Sequence, residues 1–147
     1  MTSHEYGTGS QDTLAFYLTI YHLTAQIPRG KVCTYGHLAY LAGKPNNSRQ
    51  VGQALKLLPR SEQSHYNSQN VPWWRVIGSG GKVTNIENKK LQTDLLNSEL
   101  DKSTETFNLN KFGWFPEVDD VDLDFTCIWI AGYPGQSSHD MYRSSNI

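Results

Sequence analysis

Two short helical patterns separated by a polar turn most constrain the fold of this 147-residue chain. Thr34 can cap a helix that ends at Gly43, and Ser48 opens a second helix over residues 49–58. The turn between them, residues 44–47, is tight and polar. This arrangement predicts a helix-turn-helix, a motif that often presents its second helix to nucleic acid.

Charge is distributed unevenly along the chain, although the formal net charge is only -1. Residues 13–60 include six basic side chains and no acidic one, whereas residues 117–140 include six acidic side chains and no Lys or Arg. A basic half suits binding to phosphates, and an acidic tail repels them. Segregation of this size also occurs on ordinary solvated surfaces, so it favours a nucleic-acid partner without establishing one.

The composition argues against several other classes of protein. No apolar run approaches the roughly 20 residues of a membrane-spanning helix, and the polar N-terminus lacks the apolar centre of a signal peptide. We therefore expect an intracellular protein, nuclear or cytoplasmic. Cys33 and Cys127 have neither disulfide-framework nor metal-ligand spacing, and the five histidines are scattered. The sequence predicts no metal and no cofactor.

Hydrophobic periodicity predicts two further helices and a small β element. The first helix covers residues 12–26 and is capped by Asp12. Residues 74–77, a glycine-rich turn and residues 82–84 predict a β-hairpin wing. A final amphipathic helix covers residues 87–100, and its leucines expected to face the core are Leu91, Leu95, Leu96 and Leu100. The predicted fold class is mainly α with a small β-hairpin, arranged as a winged helix-turn-helix.

The length of the chain suits one domain with flanking segments. We expect residues 1–11 to be a flexible leader and residues 12–116 to be the folded domain, with the aromatic stretch 107–116 packed back on it. Residues 117–147 are expected to be a poorly ordered acidic extension. Its apolar run, residues 125–131, fits a short strand or helix.

Four segments resemble, in order and spacing, the DNA-binding domain of the alkylguanine-DNA alkyltransferases; they are Ile27–Val32, Thr34–Gly36, Ser48–Ala54 and Val71–Ile77. The likeness is closer to the alkyltransferase-like proteins, which carry Trp or Ala in place of the acceptor cysteine. Where the alkyltransferases have Pro-Cys-His-Arg-Val, this chain has Pro-Trp-Trp-Arg-Val, with Trp73 at the cysteine and Trp74 at the histidine. An indole can stack on a base but cannot accept an alkyl group.

The resemblance implies a protein that binds the minor groove of double-stranded DNA and rotates an O6-alkylguanine into a pocket. By resemblance, Tyr35 helps to rotate the nucleotide, Arg49 enters the duplex in its place, and Trp73 forms the pocket floor. The other implied residues are Ser48, Gly52 and Gln53 for DNA contact, Val71 and Pro72 for the pocket, and Trp74 and Ile86 in undecided roles. Near Ile86, relatives often carry a basic residue that helps to hold the flipped base. The resemblance further implies a monomer without enzymatic activity that signals to nucleotide excision repair.

Taken without the resemblance, these residues have other interpretations. Tyr35 fits a half-buried aromatic at a helix start, Arg49 fits a surface donor, and both tryptophans fit core packing. Arg75 is expected to make internal hydrogen bonds. Two other functions stay open: an alkyltransferase that uses another acceptor, and a winged-helix module for DNA or protein binding whose pocket is closed by Trp74.

Overall fold

The computed structural model describes residues 11–123 and has a mainly helical architecture with a small two-stranded sheet. The elements are helices α1 (Gln11–Thr24), α2 (Tyr35–Leu41), α3 (Ser48–Lys56), α4 (Lys89–Leu100) and α5 (Leu109–Phe112), and strands β1 (Cys33–Thr34) and β2 (Val76–Ile77). Short 3₁₀ turns cover Trp73–Arg75 and Val118–Asp120. The predicted fold class is confirmed. Across residues 11–123, no helix has the length and apolar character needed to cross a membrane.

Helix α1 forms the centre of the larger of two hydrophobic clusters. Leu18, Ile20, Tyr21 and Leu23 are fully buried there, together with residues from α2 and α3. Asp12 was predicted to cap this helix, but it lies inside the first turn. A carboxylate at that place still interacts favourably with the helix dipole. The helix ends at Thr24, two residues earlier than predicted.

Helices α2 and α3 form the predicted helix-turn-helix. The Thr34 hydroxyl accepts a hydrogen bond of 3.1 Å from the backbone N–H of His37, as the predicted cap requires. Helix α3 begins at Ser48, with Asn47 at the capping position, and ends at Lys56. The Tyr21 hydroxyl donates a hydrogen bond of 2.6 Å to the carbonyl of Ala54, which fixes α3 against α1.

The predicted β-hairpin is wrong in its pairing. Strand β2 pairs in parallel with β1, so that Cys33 lies opposite Val76 and Thr34 opposite Ile77. All four residues are buried, which favours an internal partner over an exposed hairpin strand. The glycine-rich turn that follows contains two backbone hydrogen bonds of 2.9 Å, from the Gly78 N–H to the Lys82 carbonyl and from the Gly81 N–H to the Gly78 carbonyl.

Helix α4 closes the smaller hydrophobic cluster, which consists of Val32, Ile77, Val83, Leu96, Leu100 and Phe107. Of the four leucines predicted to face inward, Leu96 and Leu100 are buried, but Leu91 is 51% exposed. Gln92 takes the inward position instead and is 1% exposed. The reason is the helical period, since residues 92, 96 and 100 share one face.

The segment after α4 packs back on the domain, as predicted. The Val32 N–H donates to the Phe112 carbonyl, and the Trp114 N–H donates to the Val32 carbonyl. His37 Nε2 lies 2.7 Å from the carbonyl of Pro116. The predictions for the leader up to residue 10 and for the tail from residue 124, including the apolar run 125–131, lie outside the described residues.

Candidate nucleic-acid interface

A cavity of about 620 Å³ opens beside the helix-turn-helix. Its walls come from the start of α2, one face of α3, the 3₁₀ turn at Trp73, the loop 84–87 and Gln92 of α4. This volume lies in the range of about 300–1,000 Å³ that is usual for small-molecule sites. The cavity therefore has room for a single nucleobase.

Tyr35 stands on the cavity as the first residue of α2, directly after β1. Its half-buried ring lies over α3 at Gly52, where a Cβ atom would meet the ring at 3.8 Å. Burial raises the pKa of Tyr35, and a hydrogen bond with the Thr84 side chain opposes this only in part. The phenol is therefore neutral near pH 7, and its ring is held between α3 and the loop that contains Thr84.

The α3 side of the cavity carries positive charge. Arg49 lies exposed in the first turn of α3, and Lys56 lies exposed at its end. Within residues 11–123, Arg49 makes no ion pair or side-chain hydrogen bond, so no surface carboxylate holds it there. Ser48, Gly52 and Gln53 line the same wall. A guanidinium in this position is available to a phosphate or a base.

The two adjacent tryptophans occupy different environments. Their rings meet edge to face, with centroids 5.8 Å apart and planes at 88°. Trp73 lines the cavity and packs against the larger hydrophobic cluster. Trp74 packs against the smaller cluster, and its indole N–H donates a hydrogen bond of 2.8 Å to Glu99. Trp74 is not among the cavity-lining residues and does not fill the cavity.

The structure does not bring all the predicted pocket residues to the cavity. Val71 and Pro72 do not line it, because both are buried and Val71 packs into the larger cluster. Ile86 lies on the rim and is 91% exposed. Six lining residues were not predicted from the sequence; they are Leu55, Lys56, Thr84, Asn85, Glu87 and Gln92. Lys56 has a local signal, because it is one helical turn beyond Gly52 and two turns beyond Arg49.

Arg75 and Glu99 form a buried network behind the tryptophans. The Arg75 guanidinium donates to both carboxylate oxygens of Glu99 at 2.8 to 3.2 Å and to the Ile27 carbonyl at 2.8 Å. The Glu99 side chain is only 5% exposed. Burial raises the pKa of Glu99, but hydrogen bonds from Arg75, Trp74 and the Gly30 N–H outweigh it and hold the pKa below its usual value. Arg75 thus makes internal hydrogen bonds, as predicted.

Cys33 has the properties of a packed core residue. Its side chain is fully buried on β1, and burial raises the pKa of its thiol to about 12. A thiol with this pKa is protonated near pH 7 and is therefore a poor nucleophile. The other cysteine, Cys127, lies outside the described residues.

The arrangement defines the class of the protein, which is a helix-turn-helix domain with a base-sized cavity beside its second helix. Residues 15–100 match the sequence model of a protein family, the DNA-binding domain of 6-O-methylguanine DNA methyltransferase. The chain therefore belongs to this family, as the sequence motifs predicted, and has its winged-helix fold.

Three comparisons relate the chain to particular members. A DNA base-flipping protein of Vibrio parahaemolyticus is 36% identical over 108 residues, which cover 69% of this chain and 97% of that protein. Alkyltransferase-like protein 1 of Schizosaccharomyces pombe is 36% identical over 110 residues, with coverage of 69% and 95%. A crystal structure of the S. pombe alkyltransferase-like protein with damaged DNA containing O6-carboxymethylguanine matches with a TM-score of 0.59 and 33% identity. That match covers 74% of this chain and all of the other.

Proposed function

We propose that the protein binds duplex DNA through the minor groove as a monomer, rotates an O6-alkylguanine nucleotide into the cavity and holds it there. The observation that carries this proposal is the cavity, on which Tyr35 and Trp73 offer aromatic surface and Arg49 offers an exposed positive charge. Relatives named for base flipping, and one with damaged DNA bound, support it.

The energetics of flipping are compatible with these side chains. Extruding a base costs a few kcal/mol and least for a damaged base that already pairs poorly. Stacking a base on an aromatic side chain contributes about 1–3 kcal/mol. An arginine inserted into the duplex replaces part of the lost stacking and adds a cationic contact. The cost of extruding a base and the gain from stacking it are similar in size. The weaker pairing of the lesion, which lowers the extrusion cost, therefore decides whether it is bound.

We propose further that binding occurs without alkyl transfer. The resemblance puts Trp73 at the position of the acceptor cysteine, and an indole is too weak a nucleophile to take the alkyl group from O6 with guanine as the leaving group. Cys33 is buried and protonated, so it does not substitute for the missing thiol. Incubation with duplex carrying a radiolabelled O6-methyl group should leave the protein unlabelled. Label on Cys127 or any other residue would contradict the non-enzymatic role.

A lesion that is held but not repaired requires another activity to remove it. We propose that the complex presents the lesion to nucleotide excision repair. Purified excision nuclease should incise an O6-methylguanine duplex faster when the protein is present. An unchanged incision rate, with lesion binding intact, would contradict this step alone.

The central experiment compares affinities for an O6-methylguanine duplex and its undamaged twin, measured by fluorescence anisotropy at a stated salt concentration. Because the lesion pairs more weakly and costs less to extrude, we expect tighter binding to the O6-methylguanine duplex, by about tenfold for each 1.4 kcal/mol of pairing free energy that the lesion lacks. Equal affinities would overturn lesion recognition and leave a generic DNA-binding domain.

A further inference from the structure

Gln92 is the most deeply buried polar residue that lines the cavity. It is 1% exposed and lies on the inner face of α4, in line with Leu96 and Leu100. An amide on a face that is otherwise apolar costs free energy unless its polar atoms are paired. The partners of the Gln92 amide nitrogen and amide oxygen therefore indicate the role of this residue.

The amide nitrogen of Gln92 is fully used by the protein. Nε2 donates hydrogen bonds to the carbonyl of Trp74 at 3.0 Å and to the carbonyl of Val76 at 2.8 Å. A flipped amide would place its oxygen against two carbonyl oxygens, which also accept and would repel it. The orientation of the side chain is therefore fixed by its neighbours.

The amide oxygen, in contrast, has no hydrogen-bond partner among residues 11–123. A buried acceptor without a donor is uncommon in a native protein and costs the desolvation of that group. Gln92 borders the cavity, so a molecule seated there can bring the missing donor.

The proposed ligand, an O6-alkylguanine base, has few N–H groups that can act as that donor. Alkylation at O6 removes the proton from N1 of guanine, which leaves the amino group at C2 as the N–H donor of the base. We infer that Gln92 Oε1 accepts a hydrogen bond from the C2 amino group of a flipped purine, which makes Gln92 a specificity-determining residue. This inference rests on the proposed function. Purines that lack the C2 amino group leave the buried oxygen unpaired and are bound less well.

The test uses three duplexes that differ at one base: guanine, O6-methylguanine, and O6-methylhypoxanthine, which keeps the methyl group and lacks the amino group. Affinities are measured for the wild-type protein, for Gln92→Met, which has similar length but no amide, and for Gln92→Leu, a second apolar replacement that suits the face of Leu96 and Leu100. Gln69→Met is the matched control, because Gln69 is exposed and lies off the cavity. Thermal melting of each variant establishes that it folds.

The wild-type preference for O6-methylguanine over O6-methylhypoxanthine should exceed that of Gln92→Met by roughly twofold to tenfold, the worth of one hydrogen bond. O6-methylguanine and O6-methylhypoxanthine also differ in how strongly they pair. This difference is the same for both proteins, so it cancels when the wild-type preference is compared with that of Gln92→Met. Gln92→Leu should lose the preference as Gln92→Met does, and Gln69→Met should keep it.

The inference is overturned if Gln92→Met retains the wild-type preference. This includes the case in which its affinity for both lesions falls equally, which marks a structural role. If Gln92→Met does not fold, a Gln92→Leu protein that retains the preference overturns the inference as well. Failure of the proposed function is a separate outcome, because wild-type protein would then bind O6-methylguanine no better than guanine.

Discussion

Trp73 and Trp74 are neighbours in the chain, but their side chains serve different parts of the molecule. The 3₁₀ turn at Trp73–Arg75 directs one indole to the cavity and the other to the smaller hydrophobic cluster. The ring of Trp73 is therefore available to a ligand, whereas the N–H of Trp74 is engaged with Glu99. Substitutions at the two positions should affect different properties.

Trp73→Ala should weaken binding to the O6-methylguanine duplex by roughly fivefold to a hundredfold, because a stacking surface is lost. Trp74→Phe is the comparison, since it keeps a ring but removes the hydrogen bond to Glu99. It should lower the free energy of unfolding by about 1–3 kcal/mol and leave the ratio of lesion to control affinity unchanged. Anisotropy and urea titration measure the two effects. An unaltered affinity in Trp73→Ala would rule out its place in the pocket floor.

Arg49→Ala should reduce the affinity for the lesion duplex more than the affinity for undamaged DNA, because the inserted guanidinium matters only when a nucleotide has left the stack. Arg60→Ala is the matched control, since Arg60 is exposed in the same basic stretch but does not line the cavity. It should weaken both duplexes equally, as loss of a phosphate contact does. If Arg49→Ala weakened binding to both duplexes equally, Arg49 would be a phosphate contact and would not enter the duplex.

At the scale of the element, α3 has a glycine where a helix normally prefers alanine. Gly52 lines the cavity, and among residues 11–123 a Cβ atom built there would have only the ring of Tyr35 within 4 Å. A methyl group at 3.8 Å from that ring is an ordinary contact, so packing within the described residues does not require glycine. The proposed approach of DNA to the helix backbone would account for the glycine.

Gly52→Ala should raise the free energy of unfolding by up to about 1 kcal/mol, through its better helix propensity, and should weaken DNA binding. Gly36→Ala on α2 is the control, because a Cβ atom there meets nothing within 4 Å and Gly36 does not line the cavity. Chemical denaturation and DNA titration separate the two properties. Unchanged DNA affinity in Gly52→Ala would mean that α3 stays clear of the groove.

The helices could be predicted from the sequence, because apolar periodicity and caps such as Thr34 are local signals. The pairing of β1 with β2 could not, since it joins residues 43 positions apart, as Cys33 and Val76 show, and depends on burial that the chain reveals only when folded. For the candidate site, Tyr35, Arg49 and Trp73 were predicted from motif resemblance, and the structure places all three at the cavity. Gln92 was missed, because a leucine beside it offered the more obvious inward residue.

At the scale of the whole molecule, Glu99 connects three separate parts of the fold. Its carboxylate accepts hydrogen bonds from Arg75 and Trp74 and, at 3.3 Å, from the N–H of Gly30 in the turn after α1. Glu99 itself belongs to α4. A charge that is 5% exposed and paired in this way is costly to leave without its partner.

Stability should therefore fall in acid because of Glu99. Its pKa is lower in the folded state than the ordinary 4.5, so the unfolded chain binds the proton more strongly. The stabilising contribution is present above pH 4.5 and is lost as the pH falls through the lower folded pKa. Glu99→Gln should be less stable at pH 7 by about 3 kcal/mol, and its stability should depend less on pH below 4.5.

Urea unfolding measured between pH 3 and 7 tests this expectation. Glu62→Gln is the control, because Glu62 is exposed and forms no ion pair with another residue of 11–123. It should retain the wild-type pH dependence. A Glu99→Gln protein whose acid sensitivity matches that of wild type would show that other carboxylates are responsible.

The short parallel ladder between β1 and β2 has a consequence for the tolerance of the site to substitution. Tyr35 directly follows β1, and the Trp73–Arg75 turn directly precedes β2, so main-chain hydrogen bonds set the distance between the two aromatic walls. A slip of one residue would move one wall by about 3.3 Å along the other, close to the thickness of a base. Spacing that is held by the main chain does not depend on which side chain occupies either wall. The residue at position 73 can therefore change between a reactive and an unreactive type while the gap between the two walls keeps its width.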